Sequence, residues 1–99
     1  MRRGLSATAR VCAARSHTGL VSTWTCTDED AAGAAVRLSE DQRVLVEPAC
    51  GAALAAAYGA AEELRAAVQG REGPVVVVCC GGAIVTRKLL AQWAELAGM

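Results

Sequence analysis

Four residues, Glu47, Cys80, Gly81 and Gly82, have the types and placement best suited to chemistry in this 99-residue sequence. Glu47 stands between an apolar run, Val44-Leu45-Val46, and a proline that can open a helix. Cys80-Gly81-Gly82 closes a second apolar run, Val75-Val76-Val77-Val78-Cys79. Two glycines leaving such a run can cradle a phosphate through bare backbone amides at a helix start. They can equally make a tight turn. No Lys-Ser or Lys-Thr follows them to complete a nucleotide loop, and no further glycine completes a dinucleotide fingerprint. Glu47 can line a site, or it can satisfy the free amides of the helix behind it. Cys50 and Cys80 can serve as small buried hydrophobes.

The remaining ligating and nucleophilic groups are scattered. Cys12, Cys26, Cys50, Cys79 and Cys80 show no paired spacing, and adjacent strand residues such as Cys79 and Cys80 face opposite sides. With His17 as the one histidine, far from the others, these residues argue against a zinc site and against a Cys/His catalytic pair. An odd set of thiols fits a reducing compartment, and the expected location is cytoplasmic. Lys plus Arg and Asp plus Glu balance at 10 each, so nothing favours nucleic acid or an anionic membrane. Charges interrupt every apolar run before it reaches bilayer length.

The elements that would position these residues are two short strands and a helix. The β-branched runs read as strands buried on both faces. Between them, an alanine-rich stretch opens at Pro48, where a missing amide hydrogen costs nothing, and stops at Gly70. Strand, helix and strand make a right-handed βαβ crossover. Both strands then point the same way, and Glu47 and Cys80 lie together at their carboxyl ends, the usual binding edge of a parallel sheet. The expected fold is therefore α/β: a partial parallel-sheet domain, βαβα, with a helix before it.

That preceding helix runs from Asp28 to about Leu38. Thr27 is its N-cap in a capping-box pattern with Asp30, and Gly33 weakens it by about 1 kcal/mol. Along the Pro48 stretch, Gly51, Ala55 and Gly59 form a smooth face that lets another backbone approach. Leu54, Tyr58, Ala61 and Leu64 form a larger stripe beside it. Its opening turns are apolar all round and so begin buried. A last helix, capped by Thr86, turns Leu89, Leu90, Trp93 and Leu96 inward and Arg87, Lys88, Gln92 and Glu95 outward. Residues 1–26 differ from residues 27–99: they carry Arg2, Arg3, Arg10 and Arg15 and no acid. That is the composition of a mitochondrial targeting segment. The arginines share no helical face, however, and the segment reads as a poorly defined leader, with a short strand at Val21 to Trp24. Alanine supplies 22 residues and phenylalanine none, so the core is thin. The chain is expected to fold poorly by itself, with an apolar strand edge open to association.

The runs Val44 to Ala56 and Val75 to Gly82 resemble the carboxyl-terminal part of L-serine dehydratase/L-threonine deaminase. These are pyridoxal-phosphate enzymes of the tryptophan-synthase β fold, and the similarity extends over about Thr27 to Met99. The resemblance implies a cofactor-binding set of Cys80, Gly81, Gly82 and Glu47, with the Cys80 thiol beside the pyridine nitrogen. It implies β-elimination of a small amino acid, serine, to pyruvate and ammonia. Two departures accompany it. Ala83-Ile84 stand where relatives usually have Ser-Asn. The family's Schiff-base lysine and phosphate loop have no counterpart here, since the one lysine is Lys88 on an outer helical face. The expectation is a carboxyl-terminal piece, truncated or alternatively started, that is inactive alone. The alternative is a non-catalytic subunit that packs on a full-length relative through the Gly51, Ala55 and Gly59 face; a homo-oligomer is the other association considered.

Overall fold

The computed structural model describes residues 24–99. Among the described residues four helices follow one another: α1 (Asp28–Gln42), α2 (Pro48–Tyr58), α3 (Glu62–Val68) and α4 (Arg87–Leu96). The expected leader and the Val21 to Trp24 strand fall mostly outside the described residues. Trp24 and Cys26 are described, and both pack against the core.

Helix starts follow from local chemistry. The Thr27 hydroxyl accepts from the Asp30 amide at 3.1 Å, and the Thr86 hydroxyl accepts from the Leu89 amide at 3.2 Å. Asp28, Glu29 and Asp30 set negative charge against the positive end of α1. Pro48 opens α2 as expected. α1 continues past Leu38 to Gln42, because Arg43 adopts a left-handed conformation (φ 57°) and returns its amide to the Ser39 carbonyl.

The expected fold class is overturned: no strand forms among the described residues. Val44–Val46 and Val75–Cys79 take no regular secondary structure, and the Glu47 amide donates to the Gly81 carbonyl at 3.1 Å without a ladder following. A pair of short parallel strands is stable only inside a larger sheet covered on both faces. Here cover reaches one face. Val46 is 1% exposed and Val77 packs on the core, whereas Val76 and Val78 are 80% and 71% exposed. Val75 and Cys79, on the same side as Val77 in an alternating chain, are exposed as well, so the run is anchored at Val77 alone.

The single helix expected from Pro48 to Gly70 is also divided. Gly59 ends α2. Ala60 then turns left-handed (φ 48°), donating to the Ala57 carbonyl while Ala61 donates to the Ala56 carbonyl. This is a Schellman closure with alanine where glycine is usual. Continuing the helix would gain little, since α3 buries none of its residues. Left-handed backbone costs a residue with a Cβ about 1–2 kcal/mol, and the extra freedom of glycine when unfolded returns part of that. Ala60→Gly is thus expected to stabilise the fold by about 0.5–1 kcal/mol. A lowered urea midpoint would contradict this account of the break.

The core lies between α1 and α2. Ala34, Ala35, Val46, Cys50, Leu54 and Ala55 form it, with Leu38, Tyr58 and Val77 against its rim. Such small side chains suffice because the helices approach backbone to backbone. A Cβ placed on Gly51 would stand 1.9 Å from the Ala31 carbonyl oxygen. The smooth face expected to receive a partner is accordingly filled by α1 of the same chain at Gly51 and Ala55, while Gly59 is exposed. Nor is α2 buried all round: Ala49, Ala53 and Ala57 are exposed. α4 lies on the other side of α1, where Gly33 makes room for Ala97, 3.3 Å from a Cβ built on that glycine. No helix among the described residues is long and apolar enough to cross a membrane.

Candidate functional site

The four residues singled out from the sequence do meet. Their meeting point is the Gly81 carbonyl, which accepts from the Glu47 amide at 3.1 Å and from the Cys50 thiol at 3.7 Å. The Cys80 amide in turn donates to Cys50 Sγ at 3.3 Å. Cys50 is thus a buried thiol with one donor and one acceptor partner, a small hydrophobe that also ties α2 to the Cys80 turn.

Each residue behaves differently from at least one of its expected roles. Cys80 is not a buried hydrophobe: its residue is exposed, as is Cys79. Glu47 is the N-cap of α2, yet its carboxylate makes no capping bond; its backbone carbonyl instead accepts from the Cys50 and Gly51 amides. The glycine pair leads into a tight turn with Ala83 and Ile84 at its centre, in which the Gly82 carbonyl accepts from the Val85 amide at 2.9 Å. Gly82 also sits on the backbone of Leu45, whose oxygen would be 2.1 Å from an added Cβ. α4 begins five residues later, too far along for its first amides to share the turn.

A groove of 540 Å³ opens elsewhere. Trp24, Glu29, Arg37, Tyr58 and Glu62 are among the residues that line it, and none of Glu47, Cys80, Gly81 and Gly82 does. At its edge the Tyr58 hydroxyl donates to Asp41 at 3.1 Å, Arg37 stands over the Tyr58 ring at 4.2 Å, and Arg37 pairs with Asp41 at 3.7 Å. Sequence reading missed this cluster. The one local signal was the four-residue spacing of Arg37 and Asp41; the partnership with Tyr58 depends on how α2 is set against α1.

Burial, then the bond to Asp41, pushes the Tyr58 hydroxyl above its usual value of 10.0. The folded form therefore holds this proton to higher pH than the unfolded form. Its contribution is fully present below the usual tyrosine range and is lost as pH rises through the raised value. Ultraviolet titration should show the phenolate of Tyr58 appearing later than in the unfolded chain, and Asp41→Asn should reduce the delay. Coincident folded and unfolded titrations would refute this. The Cys26 thiol is likewise raised, by burial first and then by Asp30 and Asp28.

The stretch that carries this corner is related to amino-acid dehydratases. The chain is 47% identical over 75 residues to the serine dehydratase-like protein of Homo sapiens and 44% identical over 69 residues to that of Rattus norvegicus, alignments covering 70% and 66% of this chain. It is 36% identical over 75 residues, 73% of the chain, to the L-serine dehydratase/L-threonine deaminase of Homo sapiens. The matched stretch is 22%, 21% and 23% of those three proteins, so the chain spans about a fifth of the length of the curated relatives it matches. No family model and no solved structure matches it.

The resemblance brings pyridoxal phosphate into question for this chain. The residues present do not enclose it. Cys80 faces outward, the Gly81 carbonyl is already engaged twice, Gly82 is closed against Leu45, and Lys88 is exposed on α4. By themselves these residues support no catalytic step through the cofactor.

Proposed function

We propose that this chain carries one segment of a pyridoxal-phosphate-dependent serine/threonine dehydratase-type protein and does not by itself eliminate water and ammonia from serine. The relatedness of 36–47% over about 70% of the chain supports the family reading. The observation that carries the second half is Lys88, the one lysine of the sequence, which is exposed on α4. A Schiff-base lysine must reach a cofactor held in an enclosed site. In this reading that lysine, the phosphate loop and the rest of the pocket come from outside these 99 residues, and Cys80, Gly81, Gly82 and Glu47 contribute one edge. The compartment is cytosolic, in keeping with the thiol-rich composition.

Borohydride reduction of the purified chain with pyridoxal phosphate is expected to leave no specific adduct at Lys88, and serine is expected to release no ammonia. A stoichiometric Lys88 adduct abolished by Cys80→Ala, or ammonia release by the pure chain, would overturn the proposal.

A second reading, a non-catalytic subunit that packs on a full-length dehydratase, is favoured by one observation. Val75, Val76, Val78 and Ile84 are 52%, 80%, 71% and 68% exposed, an apolar edge of the kind that pairs with another chain. Co-purification with a full-length dehydratase that is lost in a Val76→Lys, Val78→Lys variant would support it.

A further inference from the structure

We infer that Cys80 is a thiol–disulfide modification site for low-molecular-weight disulfides of the glutathione class, with Cys50 as its resolving thiol. Two independent features carry this. Cys80 is exposed, and Cys50 is 8% exposed with its sulfur 3.3 Å from the Cys80 amide nitrogen. Covalent geometry keeps a cysteine sulfur within about 4 Å of its own amide nitrogen, so the two sulfurs are never more than roughly 7 Å apart. Rotation of the exposed Cys80 side chain changes that separation, and the bond forms where it brings the two sulfurs to about 2 Å. A glycine pair follows Cys80, so the turn can absorb the small backbone adjustment.

The exchange is balanced without a further oxidant. The Cys80 thiolate attacks one sulfur of the disulfide RSSR, whose S–S bond breaks. One RS⁻ departs and takes a proton from water, leaving Cys80–S–SR. Cys50 then gives its proton to solvent and attacks Cys80 Sγ, expelling the second RS⁻. Two protein thiols are oxidised and one RSSR is reduced to two RSH. The product removes the Cys50 proton shared with Gly81 and covalently ties α2 to the turn, across a separation of 30 residues. In a reducing compartment such a bond is transient and reports the thiol–disulfide ratio.

The test incubates the full chain with graded ratios of oxidised to reduced glutathione, quenches it by alkylation and maps tryptic peptides by mass. Peptides 44–65 and 72–87 are expected to appear cross-linked with the loss of two hydrogens. The link should persist in Cys79→Ser and disappear in Cys80→Ser. In Cys50→Ser, Cys80 should instead retain a glutathione adduct. Proximity should also make the link about tenfold easier to form in the native chain than in denaturant. A link that survives Cys80→Ser, a Cys79–Cys80 disulfide within peptide 72–87, dimers linked between chains, or equal yields with and without denaturant would each overturn the inference.

Discussion

Replacing Gly51 with alanine is expected to separate α1 from α2 and to cost about 2–3 kcal/mol of stability. The new Cβ would lie 1.9 Å from the Ala31 oxygen and 2.8 Å from its carbonyl carbon, both backbone atoms that cannot rotate away. Helix propensity works in the opposite direction, since alanine is better than glycine inside a helix by about 1 kcal/mol. Sterics win, because the helices can relieve the clash only by moving apart. Movement there uncovers Ala31, Ala32, Ala35 and Leu54, all buried at present, and among the described residues the buried core holds no side chain larger than Leu54 to fill the gap. Amide exchange along Ala31–Val36 should accelerate with the loss of stability, and the urea midpoint should fall. An unchanged midpoint would mean that the two helices do not meet at Gly51.

Gly82→Ala is expected to open the corner at the N-terminus of α2. Its Cβ would stand 2.1 Å from the Leu45 oxygen, 2.6 Å from the Leu45 carbonyl carbon and 2.9 Å from Val46 Cα. The turn must back away from Leu45 and Val46, and three links go with it: Glu47 amide to Gly81, Cys50 thiol to Gly81, and Cys80 amide to Cys50. Overpacking of this kind costs about 1–3 kcal/mol. At about 1.4 kcal/mol per factor of ten, the buried Cys50 thiol should alkylate roughly ten- to hundredfold faster through local opening. Alkylation of exposed Cys79 should hardly change, which separates opening of the corner from a general change in thiol chemistry. Equal Cys50 rates in the two proteins would show that Gly82 tolerates a side chain.

The same two glycines mark where sequence reading stops. Thr27, Thr86 and Pro48 announced the starts of α1, α4 and α2, because a cap or a first-turn proline acts on amides within four residues of itself. The motif Val44 to Ala56 announced the relatedness to serine dehydratases, and the count of one lysine was plain from the residues. The convergence of Glu47 with Cys80 and Gly81 was legible too, although the sheet inferred to bring them together is absent among the described residues. What tertiary structure alone decided depends on groups far apart in the chain. A valine run is a strand only if a neighbour pairs with its backbone, and Val75–Cys79 finds cover at Val77 and no ladder. A smooth glycine face takes whichever backbone reaches it first, and for Gly51 that is Ala31, twenty positions earlier in the same chain. A tyrosine on one helix meets an aspartate and an arginine on another only at a particular crossing, the one that sets Tyr58 against Asp41 and Arg37. Local hydrogen bonds fix helix beginnings; the approach of one backbone to another fixes the rest, and it is set by packing summed over the whole molecule.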